Sequence, residues 1–497
     1  MPASRPHSSG EAVMPIREVF AAIDLGASSG RVVAGLWDGV TLSTREVARF
    51  ATPYGHEGAL LKWDVRQVFA SSIKGLQRVR ELCEETGATF AGIGIDSWGV
   101  DFALLRSDGI DLDDVRHHRG AGVPPTGRED FRQGSAGRYA LTGVLDQSIN
   151  TSQQLAARLD DDSIGDATLL FIPDLWVYLL SENVGTDPSI ASTSQLLDAV
   201  DGTWAAELSE RLHASGLIFP PVGNVGDIAG ETSARITSLI GARNPVPVFR
   251  VAGHDTASAL AFAAPARRNA ATSGLVSSGT WSLAGLSLAD PVLTADARTR
   301  GFTNERGLKG HLLVKNLSGM WLLQESLRTW GDDTGTAAIA ELVRAAGEAA
   351  EDEHVLDLAD PRLLEPGDMP RRIAQLAVES GRYFPTTPAE IARTIFDSLA
   401  AAYSSAVHEA ADLAGVSINN VRIVGGGSRN ALLCQLTANR SDVFVVAGPA
   451  EASALGNIAT QLWASGQRYS ITAAYAAIAP EDWVVETYAP RRQETPA

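Results

Sequence analysis

The sequence is poor in the features that mark secreted, membrane-bound or nucleic-acid-binding proteins. Its 497 residues include only Cys83 and Cys434, both within apolar helical patterns, which excludes a disulfide scaffold and favours buried thiols in a reducing cytoplasm. No apolar run is long enough to span a bilayer, and the Ser/Pro/Gly-rich start does not resemble a secretory signal. Because 59 acidic residues outnumber 41 basic ones and no basic run offsets the net charge of −18, we expect neither nucleic-acid nor membrane partners.

What is present is an ordinary globular composition, with 45% apolar and 20% charged residues. A chain of this length exceeds one ordinary core, so at least two domains are expected. Strand signals followed by an amphipathic helix from Val65 and another strand indicate an α/β fold. The predicted division is a disordered extension over 1–18, an N-terminal domain over 19–246, a C-terminal domain over 247–480 and a tail over 481–497.

The most informative segment is a turn of small residues between two apolar strands. The first strand ends near Asp24, and the turn runs from Gly26 to Gly30 before the second strand begins. Backbone N–H groups and hydroxyls of such a turn can close on an anion with little side-chain bulk in the way. A carboxylate at the same turn can hold Mg²⁺ directly or through its water. An ordinary hairpin loop has the same composition, so both interpretations stay open for this turn alone.

The second half of the chain has a similar layout. An apolar strand from Leu275 leads into a turn around Ser278-Gly279-Thr280, and a second apolar strand follows. A plain hairpin is again the alternative. If both turns bind phosphate, one from each half, they could face each other across a cleft and hold a polyphosphate.

Asp255 follows a strand predicted over Val248–Val251, within Gly253-His254-Asp255-Thr256. A carboxylate in this position could accept the proton of an alcohol that attacks phosphorus. The alternative is that Asp255 is the N-cap of an apolar helix over residues 257–264. His254 is assigned to a contact with a substrate hydroxyl and not to proton transfer.

Two further segments suit a nucleotide and a polyol. Three glycines, 425–427, lie between a predicted strand and a predicted helix, where backbone can approach a nucleotide and a helix N-terminus favours an anion. The segment from Ile95 to Phe102 places an indole, Trp98, beside Gly99 and two carboxylates, a mixture that suits a polyol. A tight strand–helix turn and a core tryptophan are the respective alternatives.

Taken in order, these segments resemble the FGGY family of carbohydrate kinases, over about residues 19 to 480. Their number and order argue against chance. The matching motifs are Asp24-Leu25-Gly26-Ala27-Ser28-Ser29-Gly30-Arg31, Gly94-Ile95-Asp96-Ser97-Trp98-Gly99-Val100-Asp101, Ala191-Ser192-Thr193-Ser194-Gln195-Leu196, Gly253-His254-Asp255-Thr256-Ala257-Ser258, Ser277-Ser278-Gly279-Thr280-Trp281-Ser282, Lys315-Asn316-Leu317-Ser318-Gly319-Met320-Trp321, Gly425-Gly426-Gly427-Ser428-Arg429-Asn430 and Gly448-Pro449-Ala450-Glu451-Ala452-Ser453-Ala454-Leu455-Gly456-Asn457.

The resemblance implies two actin-like, ribonuclease-H-like domains with ATP between them. It implies Mg²⁺-dependent transfer of the γ-phosphate to the 1-hydroxyl of a ketose, with L-rhamnulose as the first candidate, by a monomer or homodimer. The implied ATP-binding residues are Ala27, Ser28, Ser29, Gly30, Arg31, Thr280, Gln324 and Gly426. The implied remaining residues are Asp255 as the base, Gly99, His254, Thr256 and Asn316 on the sugar, and Asp24 at the Mg²⁺, directly or through water.

One segment departs from the family. Val115-Arg116-His117-His118-Arg119-Gly120 stands where the family often carries Tyr-Arg-Asp, so the sugar contacts of that position are not carried over. Other FGGY kinases, acting on L-fuculose, D-xylulose or a similar ketose, are therefore alternatives. A nucleotide-dependent scaffold of the actin-like superfamily is the non-enzyme alternative, although it has no need of the sugar-side residues. A transcriptional regulator is weaker still, because no helix-turn-helix precedes the first strand.

Overall fold

The computed structural model describes residues 14–58, 60–120, 134–160, 164–208, 216–331, 336–350, 354–364 and 366–491. The extension expected over 1–18 lies outside the described residues as far as residue 13, and Glu18 already begins the first strand. The tail is described up to Arg491. No helix in these ranges combines the length and the apolar content that a membrane crossing requires.

The first half of the chain is a mixture of strands and helices. Its strands are β1 (Glu18–Leu25), β2 (Ser29–Trp37), β3 (Leu42–Ala51), β4 (Tyr54–Glu57), β5 (Leu60–Trp63), β6 (Thr89–Ser97), β7 (Phe102–Arg106), β8 (Gly109–Ile110), β9 (Ala167–Phe171), β10 (Leu217–Ile218), β11 (Ile228–Glu231) and β12 (Pro247–Phe249). Its helices are α1 (Val65–Thr86), α2 (Ser135–Thr142), α3 (Thr151–Asp160), α4 (Ile172–Ser181), α5 (Pro188–Ser192) and α6 (Ala234–Ile240).

The main sheet of this half has six strands in the order β11-β12-β6-β1-β2-β3. β1 pairs antiparallel with β2 and parallel with β6, so the predicted hairpin and the predicted buried strand before Asp96 are confirmed. Helix α1 begins at Val65 as predicted and packs its apolar stripe on one face of the sheet. β1 is buried from Val19 onward because both of its faces are covered, which explains its nearly continuous apolar run.

The second half contains its own sheet and most of the long helices. Its strands are β13 (Ala271–Ser278), β14 (Trp281–Leu288), β15 (Thr303–Arg306), β16 (His311–Ser318), β17 (Ser417–Val424), β18 (Phe444–Ala447) and β19 (Glu486–Tyr488). Its helices are α7 (Asp255–Ala259), α8 (Ala295–Thr299), α9 (Trp321–Trp330), α10 (Thr336–Glu348), α11 (Met369–Glu379), α12 (Pro388–Ala414), α13 (Ala431–Ser441), α14 (Ala452–Ala464) and α15 (Ile471–Tyr475).

The sheet of the second half has seven strands in the order β15-β16-β14-β13-β17-β18-β19. β13 pairs antiparallel with β14 and parallel with β17, which repeats the β1, β2 and β6 arrangement. The predicted likeness of the two halves is therefore confirmed at the level of strand pairing. The longest helix, α12, begins at the predicted capping box, where Thr387 and Glu390 satisfy each other's backbone N–H groups.

Two segments placed by the sequence in the second half pack with the first. β12 hydrogen-bonds to β6 and β11, so the strand expected to open a second set of strands belongs to the first sheet. Helix α14 covers the face of that sheet opposite α1, and its Ile458 side chain lies where a Cβ at Gly35 would come within 2.3 Å. The domain limits at 246 and 480 stay a prediction, and the pairing and packing cross them.

Both cysteines are buried and free, as expected. Cys83 lies on α1 and Cys434 on α13. Burial raises the pKa of Cys83 to about 11 and that of Cys434 to about 12, so both are inert thiols at neutral pH.

Candidate active site

The two small-residue turns open onto one cavity of about 880 Å³, lined by both halves of the chain. Of the predicted site residues, Gly30 alone does not line it. Gly30 is buried behind the first turn, where a Cβ would lie 2.4 Å from the ring of Phe50. The predicted residues that line the cavity are Asp24, Ala27, Ser28, Ser29, Arg31, Gly99, His254, Asp255, Thr256, Thr280, Asn316, Gln324 and Gly426.

The turns themselves meet in this cavity. The first is closed by a hydrogen bond from Gly26 N–H to the carbonyl of Ser29 (3.1 Å), and the second by one from Gly279 N–H to the carbonyl of Trp281 (2.9 Å). The Oγ of Ser28 lies 3.2 Å from the Oγ1 of Thr280. Hydroxyls and backbone from both halves therefore surround one point, which is suited to an anion.

Arg31, predicted to bind phosphate, is held by carboxylates from both halves. Its Nε and Nη2 donate to Oδ2 of Asp24 at 2.9 and 2.6 Å, and its guanidinium also contacts Glu451 at the start of α14. Burial would lower the pKa of Arg31, but Asp24 raises it above its usual range. Arg31 therefore ties the first turn to the second half of the chain, and its predicted phosphate contact stays a prediction.

Asp255 is the first residue of α7, and His254 is its N-cap. The alternative interpretation of Asp255 as a helix cap is therefore wrong, and the helix ends at Ala259 instead of continuing to residue 264. The carboxylate is one-third exposed to the cavity, accepts a hydrogen bond from Thr256 Oγ1 (3.3 Å) and lies 3.4 Å from His254 Nε2. Burial raises the pKa of Asp255 and the neighbouring His254 lowers it, with a net rise. Such a group can accept a proton from a bound alcohol.

Glu305 on β15 is a buried residue of the site that the sequence did not reveal. Its Oε2 lies 3.1 Å from Nδ1 of His254, opposite the Nε2 that faces Asp255. Burial would lower the pKa of His254, but Glu305, then Asp255 and Asp187, raise it to about 9. His254 thus keeps its proton at neutral pH. No local pattern marks Glu305, because only the pairing of β15 with β16 brings it to the cavity.

A third carboxylate, Asp96, lies at the end of β6 beside Asp24 and is fully buried. Its Oδ2 accepts a hydrogen bond from Nδ2 of Asn457 (2.7 Å), whereas its Oδ1 has no hydrogen-bond partner within the described part of the chain. Burial, followed by the charge of Asp24, raises its pKa well above the usual range, and Asp255 adds to this effect. Asp24, its neighbour in the strand pairing, lines the cavity, so the carboxylates at this end of the sheet offer the oxygen ligands that a hydrated divalent cation prefers.

Each of the three glycines after β17 is suited to its position for a different structural reason. Gly425 has a φ of +81°, which favours glycine, and a Cβ at Gly427 would lie 2.0 Å from Oγ of Ser278. Gly426 has no atom near its Cβ direction and lines the cavity. The tight turn and the open approach for a ligand are therefore both present.

The predicted sugar-side residues line the same cavity as Asp255. Ser97 N–H donates to the carbonyl of Gly253 (2.8 Å), which fixes the end of β6 against the start of α7. Trp98 and Gly99 follow and line the cavity, while a Cβ on Gly99 would lie 3.0 Å from the side chain of Thr193. Trp98 also packs in the core of the first half, so the core interpretation is confirmed, and its contact with a polyol stays a prediction.

Comparison with known families gives a match in each half. The model of the FGGY family of carbohydrate kinases, C-terminal domain, matches residues 274–465, and that of the N-terminal domain matches residues 139–261. The chain belongs to the FGGY family of carbohydrate kinases. Like the other members of this family, it is an enzyme of the carbohydrate kinase class.

Curated members of the family are similar along nearly the whole chain. A rhamnulokinase of Bacteroides thetaiotaomicron is 35% identical over 465 residues, which cover 91% of this chain and 92% of that protein. A rhamnulokinase of Enterococcus faecalis is 34% identical over 475 residues, which cover 93% of this chain and 92% of that protein.

Solved FGGY kinase structures share the fold. A ligand-bound xylulose kinase from Lactobacillus acidophilus superposes with a TM-score of 0.74 at 14% identity, covering 95% of this chain and 94% of that one. A Plasmodium falciparum glycerol kinase with ADP gives 0.69 at 14% identity, covering 96% and 94%. The fold is thus the two-domain, actin-like α/β arrangement expected from the sequence.

Proposed function

We propose that this kinase transfers the γ-phosphate of ATP to the 1-hydroxyl of L-rhamnulose, giving L-rhamnulose 1-phosphate and ADP. The observation that carries the proposal is the meeting of Asp255 with both small-residue turns in one cavity. The choice of ketose rests on the rhamnulokinases that are about one-third identical to the chain over nine-tenths of its length.

The two turns hold the triphosphate in this proposal. Backbone and hydroxyls of residues 27–31 approach it from the first half, and Thr280 approaches it from the second. Gly426, in the turn after β17, leaves room for the nucleotide. Gln324 on α9 also contacts the nucleotide in this proposal. The phosphates bring the negative charge that the hydroxyl and N–H groups of the turns stabilise as the transferred group moves.

The ketose lies against Gly99, Thr256 and Asn316, with its 1-hydroxyl at Asp255. Asp255 accepts the proton of that hydroxyl as the oxygen attacks the γ-phosphorus and the bond to the β-phosphate oxygen breaks. Nε2 of His254 lies 3.4 Å from Oδ1 of Asp255, and the charge of protonated His254 favours the ionised carboxylate that accepts the proton. Exclusion of water by the two halves protects the transfer from hydrolysis.

Magnesium has a fitting set of ligands in Asp24 and Asp96. Oδ2 of Asp24 already accepts hydrogen bonds from Arg31 and Ser453, and Asp24 would hold the ion directly or through water. Asp96 would offer its Oδ1, which has no hydrogen-bond partner within the described part of the chain. When bound, Mg²⁺ neutralises charge on the β- and γ-phosphates.

The test is a panel of ketoses, each assayed for ADP release, with the product identified by phosphorus NMR. We expect L-rhamnulose to have the highest kcat/KM, above L-fuculose and D-xylulose. A higher kcat/KM for another ketose would identify that ketose, and not L-rhamnulose, as the substrate. ATP hydrolysis that no sugar changes would favour the scaffold alternative. A cytoplasmic location and a monomeric or dimeric state remain predictions. Fractionation of cells tests the location, and the molar mass of the purified protein in solution tests the oligomeric state.

A further inference from the structure

The segment that departs from the family, 115–120, forms part of the cavity wall. Its backbone pairs with β5, since His117 N–H donates to the carbonyl of Leu61 (2.9 Å) and Trp63 N–H donates to that of Val115 (2.9 Å). A short 3₁₀ turn then begins at His118. The side chain of His118 is 6% exposed and lines the cavity, whereas the adjacent His117 does not line it.

The orientation of His118 is fixed by Asp101. Oδ2 of Asp101 accepts hydrogen bonds from Nε1 of Trp63 (2.8 Å) and Nε1 of Trp98 (2.9 Å), and it lies 2.9 Å from Nδ1 of His118. Burial would raise the pKa of Asp101, but His118, His117 and the Trp63 indole lower it, so this carboxylate is an anion. Nδ1 of His118 is therefore the donor in this pair.

The other ring nitrogen of His118 is free for a ligand. Nε2 has no hydrogen-bond partner among the residues that the structure describes, although the side chain is more than nine-tenths buried. Because Nδ1 faces Asp101, Nε2 is the ring nitrogen that can form a hydrogen bond with an alcohol O–H group. His118 lines the cavity, so a ligand bound there can contact its ring.

A metal is the other ligand that this cluster suggests. Ligand atoms of Asp101, His117 and His118 all lie within 4.8 Å of one another. However, two indole N–H groups already occupy Oδ2 of Asp101, and Nδ1 of His117 accepts the backbone N–H of Arg119 (3.1 Å). Because these lone pairs are engaged, the arrangement fits a hydroxyl better than a cation.

The position of His118 is on the sugar side of the cavity. Trp98, which shares the Asp101 carboxylate with His118, immediately precedes the predicted sugar residue Gly99. On its other side, the guanidinium of Arg119 stacks on Trp281 (5.1 Å) and Trp321 (4.6 Å) of the second half. His118 is thus fixed where the two halves meet.

We propose that His118, oriented by Asp101, binds a hydroxyl of the ketose and determines which ketose this kinase prefers. The inference deepens the proposed function and rests on it. Segment 115–120, which contains His118, stands where the family often carries Tyr-Arg-Asp, so this contact is argued from the present chain and is not carried over from the family.

The experiment compares His118→Asn, His118→Gln and, as a matched control, His117→Asn. Asparagine retains a donor near Nδ1 for Asp101 but loses the atom at Nε2, whereas the longer glutamine places an amide near Nε2. We expect His118→Asn to raise the KM for L-rhamnulose about tenfold or more, with a smaller change in kcat and no change in the KM for ATP. His118→Gln should recover most of the loss, and His117→Asn should stay within about twofold of wild type.

Preference among ketoses provides the second readout. L-Fuculose is the C4 epimer of L-rhamnulose. A contact with a hydroxyl whose position differs between the two ketoses therefore changes the ratio of kcat/KM for L-rhamnulose to kcat/KM for L-fuculose. We expect that ratio to fall several-fold in His118→Asn and to remain near wild type in the control. Ketose titration by calorimetry, with and without a non-hydrolysable ATP analogue, should give the same order of affinities as the KM values.

Each outcome decides the matter. An unchanged KM and an unchanged preference in His118→Asn would overturn the inference, as would an equal change in His117→Asn, which would indicate packing. If His118→Asn does not fold, histidine ¹⁵N spectra of wild type decide instead, because L-rhamnulose should shift the Nε2 signal that is missing in His118→Gln. Wild type without activity on any ketose would reject the proposed function itself, whereas active wild type with insensitive variants rejects only the role of His118.

Discussion

The Oγ of Ser28 and the Oγ1 of Thr280 lie 3.2 Å apart, although 252 positions separate them in the chain. One hydroxyl comes from the turn after β1 and the other from the turn after β13, the corresponding strands of the two sheets. In the proposed function they hold the same triphosphate, so their effects on ATP binding should depend on each other.

Ser28→Ala and Thr280→Val test this dependence. Each substitution removes one donor to the phosphates, and we expect the KM for ATP to rise about tenfold in each, with the KM for the ketose nearly unchanged. In the double variant, the KM for ATP should rise by less than the product of the two single effects. A phosphate that is already held loosely after the first substitution has less binding to lose in the second. Steady-state kinetics of all four proteins measure the coupling, and strictly multiplicative effects would contradict a shared site.

Asp255→Asn removes the proposed base and conserves its size. We expect kcat to fall about 10²- to 10⁴-fold because the 1-hydroxyl loses its proton acceptor. ATP affinity, measured by calorimetry, should change little. Ser258→Ala, which alters a side chain on the same helix that does not line the cavity, is the control for local disturbance. A near-normal kcat in Asp255→Asn would remove Asp255 from this role.

Glu305→Gln tests the pH dependence that His254 imposes. The pKa of His254 is raised to about 9, so its ion pair with Glu305 is complete below about pH 6.5 and is lost as the pH rises through about 9. Wild-type kcat/KM for the ketose should therefore decline above about pH 9. In Glu305→Gln this decline should begin at least about one pH unit lower, while the two proteins converge near pH 6.

Glu305→Asp is the conservative variant in that experiment. It retains the charge and should restore part of the wild-type profile. If all three proteins lose activity at the same alkaline pH, Glu305 does not control the protonation of His254.

Asp96→Asn should separate stability from metal use. The pKa of Asp96 is higher in the folded protein than in the unfolded chain, so its ionised form is disfavoured by folding at neutral pH. The contribution of Asp96 to the free energy of unfolding of the wild type therefore increases as the pH falls. The amide should therefore raise the free energy of unfolding at neutral pH. It should also raise the Mg²⁺ concentration for half-maximal activity about tenfold, because one charged oxygen ligand is lost. Thermal melting at two pH values and a Mg²⁺ titration measure the two effects, and a lower stability at neutral pH would contradict the first.

The glycines after β17 allow a comparison of neighbours. A methyl group at Gly427 would meet Ser278, so Gly427→Ala should lower the free energy of unfolding by about 1–3 kcal/mol. Gly426→Ala places its methyl group in open space and should melt like wild type. Because Gly426 lines the cavity, the same methyl group should weaken ATP binding. Equal melting temperatures for both variants would contradict the described packing.

The sequence predicted those parts of the fold that local pattern determines. The hairpin of β1 and β2, helix α1 and the capped start of α12 were all predicted, because periodicity and capping residues act within a few positions. β12 was assigned to the wrong set of strands, since sheet membership depends on which distant strand completes the hydrogen bonds. The packing of α14 on the first sheet has no local signal for the same reason.

The site divides in the same way. Asp255 and the two turns stand in short motifs and were found from the residues. Their convergence was predicted from the likeness of the two halves. Glu305 was missed because its partner His254 is far away in sequence, and His118 was noted only as a departure from the family. The cap role considered for Asp255 was wrong because helix α7 begins one residue earlier, with His254 as the cap.

Helix α14 also bears on how the protein is made. The first sheet emerges from the ribosome with the face around Phe20 and Trp37 uncovered, and the segment that shields it is synthesised more than four hundred residues later. Throughout that interval a nascent chain presents an apolar surface to the surrounding solution, which is the kind of surface that molecular chaperones bind. A message truncated before codon 452 would therefore yield a product prone to aggregation and proteolysis instead of an independent half-enzyme.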